Sequence, residues 1–214
     1  LSQHFLSSCQ KIDAARHCLL FAGIVTADKL TKPFVIDEWF KTYQIKIADI
    51  ALTIASLPGV FSQKKLDVGS ALLLQHLPDA MQGKVLDFGC GAGVISCFIG
   101  KKFPNTQLSL LDVSALALTS AEKTLALNGL TGTVFASNSL SSVTEKYQHV
   151  VSNPPFHQGT KTSYQATEDF LCTINGHINR QGNITLVANS FLQYLPIMKQ
   201  HIGATQRLID KQGF

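Results

Sequence analysis
From Asp67 onward, short apolar runs alternate with segments spaced for helices, and no two runs are joined by an obvious hairpin turn. Val68 to Leu77 reads as a helix that Pro78 stops, Lys84 to Phe88 as a short buried strand, and Val94 to Lys102 as an apolar helix. Gln107 to Asp112 reads as a second strand, and Ser114 can cap a helix that runs to the stop signal Asn128-Gly129. Thr133 to Ala136 and His149 to Ser152 follow as strands. A helix over about Ser163 to Ile178 then leads through Gly182 into a strand over Asn183 to Ala188. Strands that alternate with helices pair in parallel through right-handed crossovers. The expected fold class is α/β, a doubly wound, mostly parallel sheet of Rossmann-like type. Thr205 to Ile209 could begin a further edge strand, but nothing after it in the sequence could pair with it.

Residues 1–56 lack this rhythm and are too few to bury a core comfortably without help. Trp39 to Ile54 holds aromatic and β-branched residues suited to a strand or two, and Leu57-Pro58-Gly59-Val60 punctuates the chain. Two domains are therefore expected, 1–56 and 57–214, the first a fragment of a larger N-terminal domain. The apolar run Cys18 to Ala27 is about half the ~20 residues of a membrane span. A buried strand or helix is expected there. A net charge of +4 names no nucleic-acid partner by itself. Five scattered cysteines without a C-x-x-C pair argue against a zinc site or a disulfide framework and for free thiols in the cytoplasm. Neither a metal nor a membrane partner is expected, and the chain is taken as a monomer.

Asp87-Phe88-Gly89-Cys90-Gly91-Ala92-Gly93 stands where the first strand of the α/β region passes into a helix, and open α/β sheets bind ligands beyond the carboxyl ends of their strands. Val94 occupies the place where a dinucleotide fingerprint needs glycine, and no G-K-[ST] follows, so neither a pyrophosphate cradle nor a Walker loop fits. The D-x-G-x-G-x-G form resembles the cofactor loop of S-adenosylmethionine-dependent methyltransferases, in which the loop wraps the amino-acid end of the cofactor and the acidic residue helps to hold its ammonium. Nineteen residues after Gly93, Asp112 ends the second strand, where an acceptor can take both hydroxyls of a ribose. Val113 is grouped with it. Asn138, just past the third strand, is either an adenine contact or an ordinary loop asparagine.

In Ser152-Asn153-Pro154-Pro155-Phe156-His157, two prolines cannot extend a central strand, so the chain must leave the sheet at its carboxyl edge, near the glycine loop. The exocyclic amino group of a base is a poor nucleophile, because its lone pair is delocalised into the ring. The Asn153 side-chain oxygen and the Pro154 carbonyl can accept its two hydrogens and draw the nitrogen towards tetrahedral geometry. Positive charge that grows on nitrogen during transfer is then stabilised by fixed dipoles. Phe156 offers a flat face to the target ring, where stacking is worth roughly 1–3 kcal/mol. His157 either helps to position substrate or is an exposed loop histidine.

Taken together, Leu57-Pro58-Gly59-Val60-Phe61-Ser62, Leu66-Asp67-Val68-Gly69-Ser70, Val85-Leu86-Asp87 with the glycine loop, Val134-Phe135-Ala136-Ser137-Asn138 and the Asn153 turn resemble the bacterial ribosomal RNA small subunit methyltransferase C family over about residues 33–214. That resemblance implies S-adenosyl-L-methionine as cofactor and methylation of the exocyclic N2 of a guanine in 16S rRNA. It implies that Asp87, Gly89, Cys90, Gly91, Gly93, Asp112, Val113 and Asn138 bind the cofactor, and that Asn153, Pro154 and Phe156 handle the guanine. Members carry a second, non-catalytic methyltransferase-like domain at the N-terminus and a further strand at the C-terminus, so 1–56 is expected to be a fragment of that domain and the last strand to be missing. Three rivals stand beside this reading: a large-subunit rRNA guanine-N2 methyltransferase, a protein-glutamine methyltransferase and a non-catalytic RNA-binding chaperone.

Overall fold
A computed structural model describes residues 6–15, 18–25, 33–154, 161–192 and 194–209. The chain divides into two compact units, Leu1–Trp39 and Phe40–Phe214. In the first, β1 (Leu6–Ala15) and β2 (Cys18–Val25) form an antiparallel ribbon. The expectation of a buried element over Cys18 to Ala27 is corrected here. The strand exists, but Leu19, Leu20, Phe21 and Ile24 are all more than half exposed, and residues 26 and 27 lie outside the described residues. A two-stranded ribbon has no second layer of its own to cover either face.

The second unit begins with the hairpin of β3 (Lys41–Ile47) and β4 (Ile50–Ser56). It continues through α1 (Val68–Gln75), β5 (Gly83–Phe88), α2 (Val94–Lys102), β6 (Thr106–Asp112), α3 (Ala115–Leu127), β7 (Thr133–Ala136), β8 (Tyr147–Ser152), α4 (Lys161–Thr173), β9 (Ile178–Leu186) and α5 (Tyr194–His201). Among the described residues, β7-β6-β5-β8-β9 form one five-stranded sheet in which every pair is parallel. The helices α1, α2 and α3 pack in one group and α4 and α5 in another. Strand side chains alternate between these layers. Leu86, Phe88 and Val150 join Phe170, Leu171, Tyr194 and Met198 in one core cluster, with Phe88 stacked on Phe170 at 3.9 Å. Asp87, between Leu86 and Phe88, faces α2 instead.

Three details differ from the sequence reading. The helix expected to reach Ile178 ends at Thr173 and tightens into a 3-10 turn over Ile174–His177. β9 starts at Ile178 rather than Asn183. Tyr147 pairs with Ile178 and His149 with Asn183, so the residues between are looped out, and Gln181 takes φ +67° while its carbonyl accepts from Gln148 Nε2 at 3.2 Å. Thr205 to Ile209 forms no strand. These residues line a cavity of about 630 Å³ together with β9, and stand off its edge instead of pairing with it. Among the described residues no helix is long and apolar enough to cross a membrane.

The hairpin belongs with the second unit, whereas the sequence punctuation at Leu57 set the expected boundary after it. The reason lies on α3 and its C-cap. Asn128 Oδ1 accepts from Thr53 N at 3.0 Å, Thr124 Oγ1 from Ala55 N at 3.0 Å and Ser120 Oγ from Leu57 N at 3.0 Å. Asn128 Nδ2 and Thr124 Oγ1 in turn donate to the carbonyls of Thr53 and Ala55. Four helical residues rise about 6 Å and two strand residues about 6.8 Å, so a polar stripe at i, i+4 and i+8 matches alternate residues of a strand edge. The stripe thereby serves as the neighbour that the β4 edge lacks. Thr124→Val keeps the shape and strips partners from two buried backbone groups, so a loss of about 2–4 kcal/mol in urea unfolding is expected. A loss below ~0.5 kcal/mol would show that water replaces those bonds at little cost.

Candidate active site
The strand order puts β6 and β7 on one side of β5, and β8 and β9 on the other. The connections that leave β5 and β8 therefore diverge to opposite faces, and open α/β sheets bind ligands in the crevice at such a point, beyond the carboxyl ends of the strands. The glycine loop and the Asn153 turn stand on its two sides. Ser152, fully buried, closes its floor by donating from Oγ to the Phe88 carbonyl at 2.8 Å.

The glycine loop is braced against β6. Gly89 N and Cys90 N both donate to the Leu111 carbonyl, at 3.0 and 2.9 Å, and Gly91 N donates to Asp112 Oδ2 at 3.0 Å. Two glycines are required there for different reasons. Gly91 has φ +53°, and a Cβ built on it would project into open space, so its backbone is the exposed floor of the cradle. Gly93, at φ +76°, would drive a Cβ to 3.2 Å from the backbone of Ala121, which fixes how closely α2 meets α3. Cys90 is buried, and that burial together with the nearby Asp87 and Asp112 carboxylates pushes its thiol well above the ordinary range. A reactive thiolate is disfavoured at that position.

Asp87 is fully buried. Its Oδ2 accepts from Ser96 N at 3.2 Å and Ser96 Oγ at 2.7 Å, while Oδ1 has no partner among the described residues. Burial raises its pKa to about 7, against the opposing pull of the two Ser96 bonds. An orphaned carboxylate oxygen behind a bare glycine floor suits a ligand that brings a cation. Asp112, partly exposed, holds Gly91 N through Oδ2 and Ser114 N through Oδ1 at 2.9 Å. A carboxylate has about four acceptor sites, so two remain for hydroxyl donors.

Asn153 is partly buried, and Pro154 is buried. The Asn153 Nδ2 donates to Asp67 Oδ2 at 2.9 Å and to Ser70 Oγ at 2.8 Å. Both amide hydrogens are thus engaged, and the further capacity of the side chain is that of Oδ1, an acceptor. An acceptor at the carboxyl edge of a parallel sheet, near a glycine loop, can bind and orient an amine.

Of the residues expected from the sequence, Asp87, Gly89, Cys90, Gly91, Gly93, Asp112 and Asn153 gather at this edge. Val113 stands beside Asp112 as an exposed apolar side chain, 77% accessible. Asn138 is exposed and follows Ser137, whose N–H donates to the Asp112 carbonyl at 3.2 Å. Phe156 and His157 lie outside the described residues. The sequence reading missed Ser96, Ser152 and the roles of Asp67 and Ser70. For Ser96 the signal was available, since a buried aspartate needs donors and a serine in the first turn of the next helix can supply two.

Comparison with known proteins agrees with this architecture. Residues 51–214 match the model of the methyltransferase small domain, and the chain belongs to that family. It is 69% identical over its whole length to the ribosomal RNA small subunit methyltransferase C of Colwellia psychrerythraea, covering 60% of that protein. It is 49% identical to the protein of the same name from Aeromonas hydrophila over 95% of the chain and 59% of the relative. The chain thus spans about three fifths of the length of these curated relatives. Among solved structures, the T. thermophilus 16S rRNA N2 methyltransferase in complex with AdoMet and guanosine superposes with a TM-score of 0.77 at 23% identity, over 95% of this chain and 55% of that one. That likeness supports the fold.

A carboxyl whose pKa rises on folding binds its proton more tightly in the folded chain. Its contribution to stability is full below the unfolded value of 3.8 and is lost as the pH rises through about 7. Relative to Asp87→Asn, the unliganded chain is expected to lose stability between about pH 4 and about pH 7, as read from urea midpoints. Parallel profiles for the two proteins would mean that Asp87 ionises at an ordinary pH.

Proposed function
We propose that this chain carries the catalytic domain of a methyltransferase that transfers a methyl group from S-adenosylmethionine to the exocyclic N2 of a guanine in 16S rRNA of the small ribosomal subunit. The observation that carries the reading is the Asn153 amide, whose nitrogen is committed to Asp67 and Ser70 and whose oxygen is left as the acceptor beside the glycine cradle. The names of the relatives at 69% and 49% identity supply the substrate class. A ribosomal substrate implies work in the cytoplasm, which is part of the same proposal.

S-adenosylmethionine supplies, when bound, an electrophilic methyl on a sulfonium sulfur. Asp87 would face its ammonium, with Gly89, Cys90, Gly91 and Gly93 as the backbone floor, Asp112 taking the ribose hydroxyls, and Val113 and Asn138 flanking the base. The unpartnered Asp87 Oδ1 and the open space over Gly91 support that fit. Asn153 Oδ1 and the Pro154 carbonyl accept the hydrogens of the guanine amino group and turn its lone pair towards the methyl. Phe156, by its resemblance to the family, is the residue assigned to stack on the ring. As nitrogen becomes positive, these fixed dipoles stabilise it without reorganising. The alkylated ammonium is acidic and loses its proton to water, so no strong base is required.

Labelled methyl transfer by the full chain to small subunits and to free 16S rRNA, followed by nucleoside analysis, tests the reading. Label in N2-methylguanosine of 16S rRNA is expected. Label confined to 23S rRNA or to protein glutamine, or S-adenosylmethionine binding with no transfer to any of these, would overturn it. Asn153→Ala is expected to lower turnover about 10²–10³-fold with cofactor affinity nearly unchanged, the loss typical of one oriented transition-state partner. Undiminished turnover would remove Asn153 from the mechanism.

A further inference from the structure
The segment Leu66-Asp67-Val68-Gly69-Ser70 lies more than eighty residues before the Asn153 turn, yet it supplies both groups that hold the Asn153 amide. Asp67 is the N-cap of α1, and one oxygen, Oδ2, serves two donors: Ser70 N at 3.0 Å and Asn153 Nδ2 at 2.9 Å. Ser70, buried, adds its Oγ at 2.8 Å from the same nitrogen. We infer that Asp67 is a positioning residue for the transfer, which with Ser70 locks the Asn153 amide so that its oxygen, not its nitrogen, meets the substrate amine. The inference rests on the reading of Asn153 as the acceptor of that amine.

The two ends of a primary amide are nearly identical in shape, and its terminal torsion is broad and roughly two-fold, so shape alone does not choose the orientation. Chemistry chooses it here. A carboxylate oxygen only accepts, and rotating the Asn153 amide by half a turn would set Oδ1 against Asp67 Oδ2, two acceptors without a proton between them. The rotated form would also turn Nδ2 towards the substrate, where donor would meet donor and the amine would be repelled. Ordering the amide before the substrate arrives removes that unproductive orientation and the reorganisation it would cost at the moment of reaction. The helix cap and the reactive turn therefore share one oxygen, which couples the start of α1 to the chemistry.

Capping and holding can be separated by substitution. Serine caps a helix about as well as aspartate but is too short to reach Asn153, whereas asparagine can place an oxygen on both donors. In the labelled-methyl assay on the full chain, Asp67→Ser is expected to lower kcat about 10–100-fold, the range for losing a hydrogen bond to a charged group, with S-adenosylmethionine affinity within about two-fold of wild type. Asp67→Asn is expected to restore most of that loss. In the Asn153→Ala background, Asp67→Ser is expected to change kcat by less than about two-fold, because there is no amide left to orient. Multiplicative losses in the double variant, or an Asp67→Asn as slow as Asp67→Ser, would overturn the inference. Should Asp67→Ser unfold, Ser70→Ala tested in the same cycle decides it by the same criterion. If Asn153→Ala itself keeps full turnover, it is the reading of Asn153 that fails, and the two failures are told apart.

Discussion

The alignment of three parallel strands at their carboxyl ends is the constraint on which everything else in the second unit hangs. Asp87 on β5 pairs in register with Leu110 on β6 and Val151 on β8, so Asp112, the last residue of β6, and Asn153, the first residue past β8, each stand two residues beyond a partner of Asp87. Parallel pairing allows no independent adjustment of these ends: a slip of one residue would turn Asp87 from α2 into the apolar layer of Phe88 and Phe170. Hydrogen bonds across the edge secure the alignment, from Gly89 and Cys90 to Leu111, from Ser152 to Phe88 and from Ser137 to Asp112. The loops beyond can then carry chemistry on a rigid base.

Polar groups are distributed unevenly over this base. The Ser120, Thr124 and Asn128 stripe is buried or nearly so and spends its hydrogen bonds on the backbone of Thr53, Ala55 and Leu57. Asp87 is the opposite case, with one oxygen satisfied by Ser96 and the other left bare in the interior. A chain that needed only stability would not keep a half-satisfied carboxyl beside a strand–helix turn. On the proposed reading a cation that meets the carboxylate would recover that cost, and its binding would favour the ionised form of Asp87.

Much of this was legible in the sequence because it rests on period and punctuation. The apolar runs, the cap at Ser114, the stop at Asn128-Gly129 and the helix Val94–Lys102 are all local properties, and the structure reproduces them closely. The glycine loop and the Asn153 turn were legible as a pair, because a parallel sheet brings the ends of its strands together whatever lies between. What escaped was long-range. The stripe on α3 reads as ordinary helix polarity until β4 is laid against it, and this pairing also moved the boundary from Leu57 to Phe40. The looped-out residues before Asn183 depend on the register with β8, which no local signal encodes. The run Leu19 to Ile24 looked buried because hydrophobicity records a preference for burial and not the presence of a neighbour. The bond from Asn153 to Asp67 joins two turns that each make sense alone.

The central claim is that one crevice holds the methyl donor and the acceptor amine face to face. A crystal structure of the full chain with S-adenosylmethionine and guanosine tests it most directly. The account predicts the ammonium of the donor against Asp87 Oδ1, its ribose on Asp112, and the guanine amino nitrogen about 3 Å from Asn153 Oδ1. A donor bound away from the glycine loop, or a guanine whose amino group points away from Asn153 while the donor sits in the cradle, would contradict it.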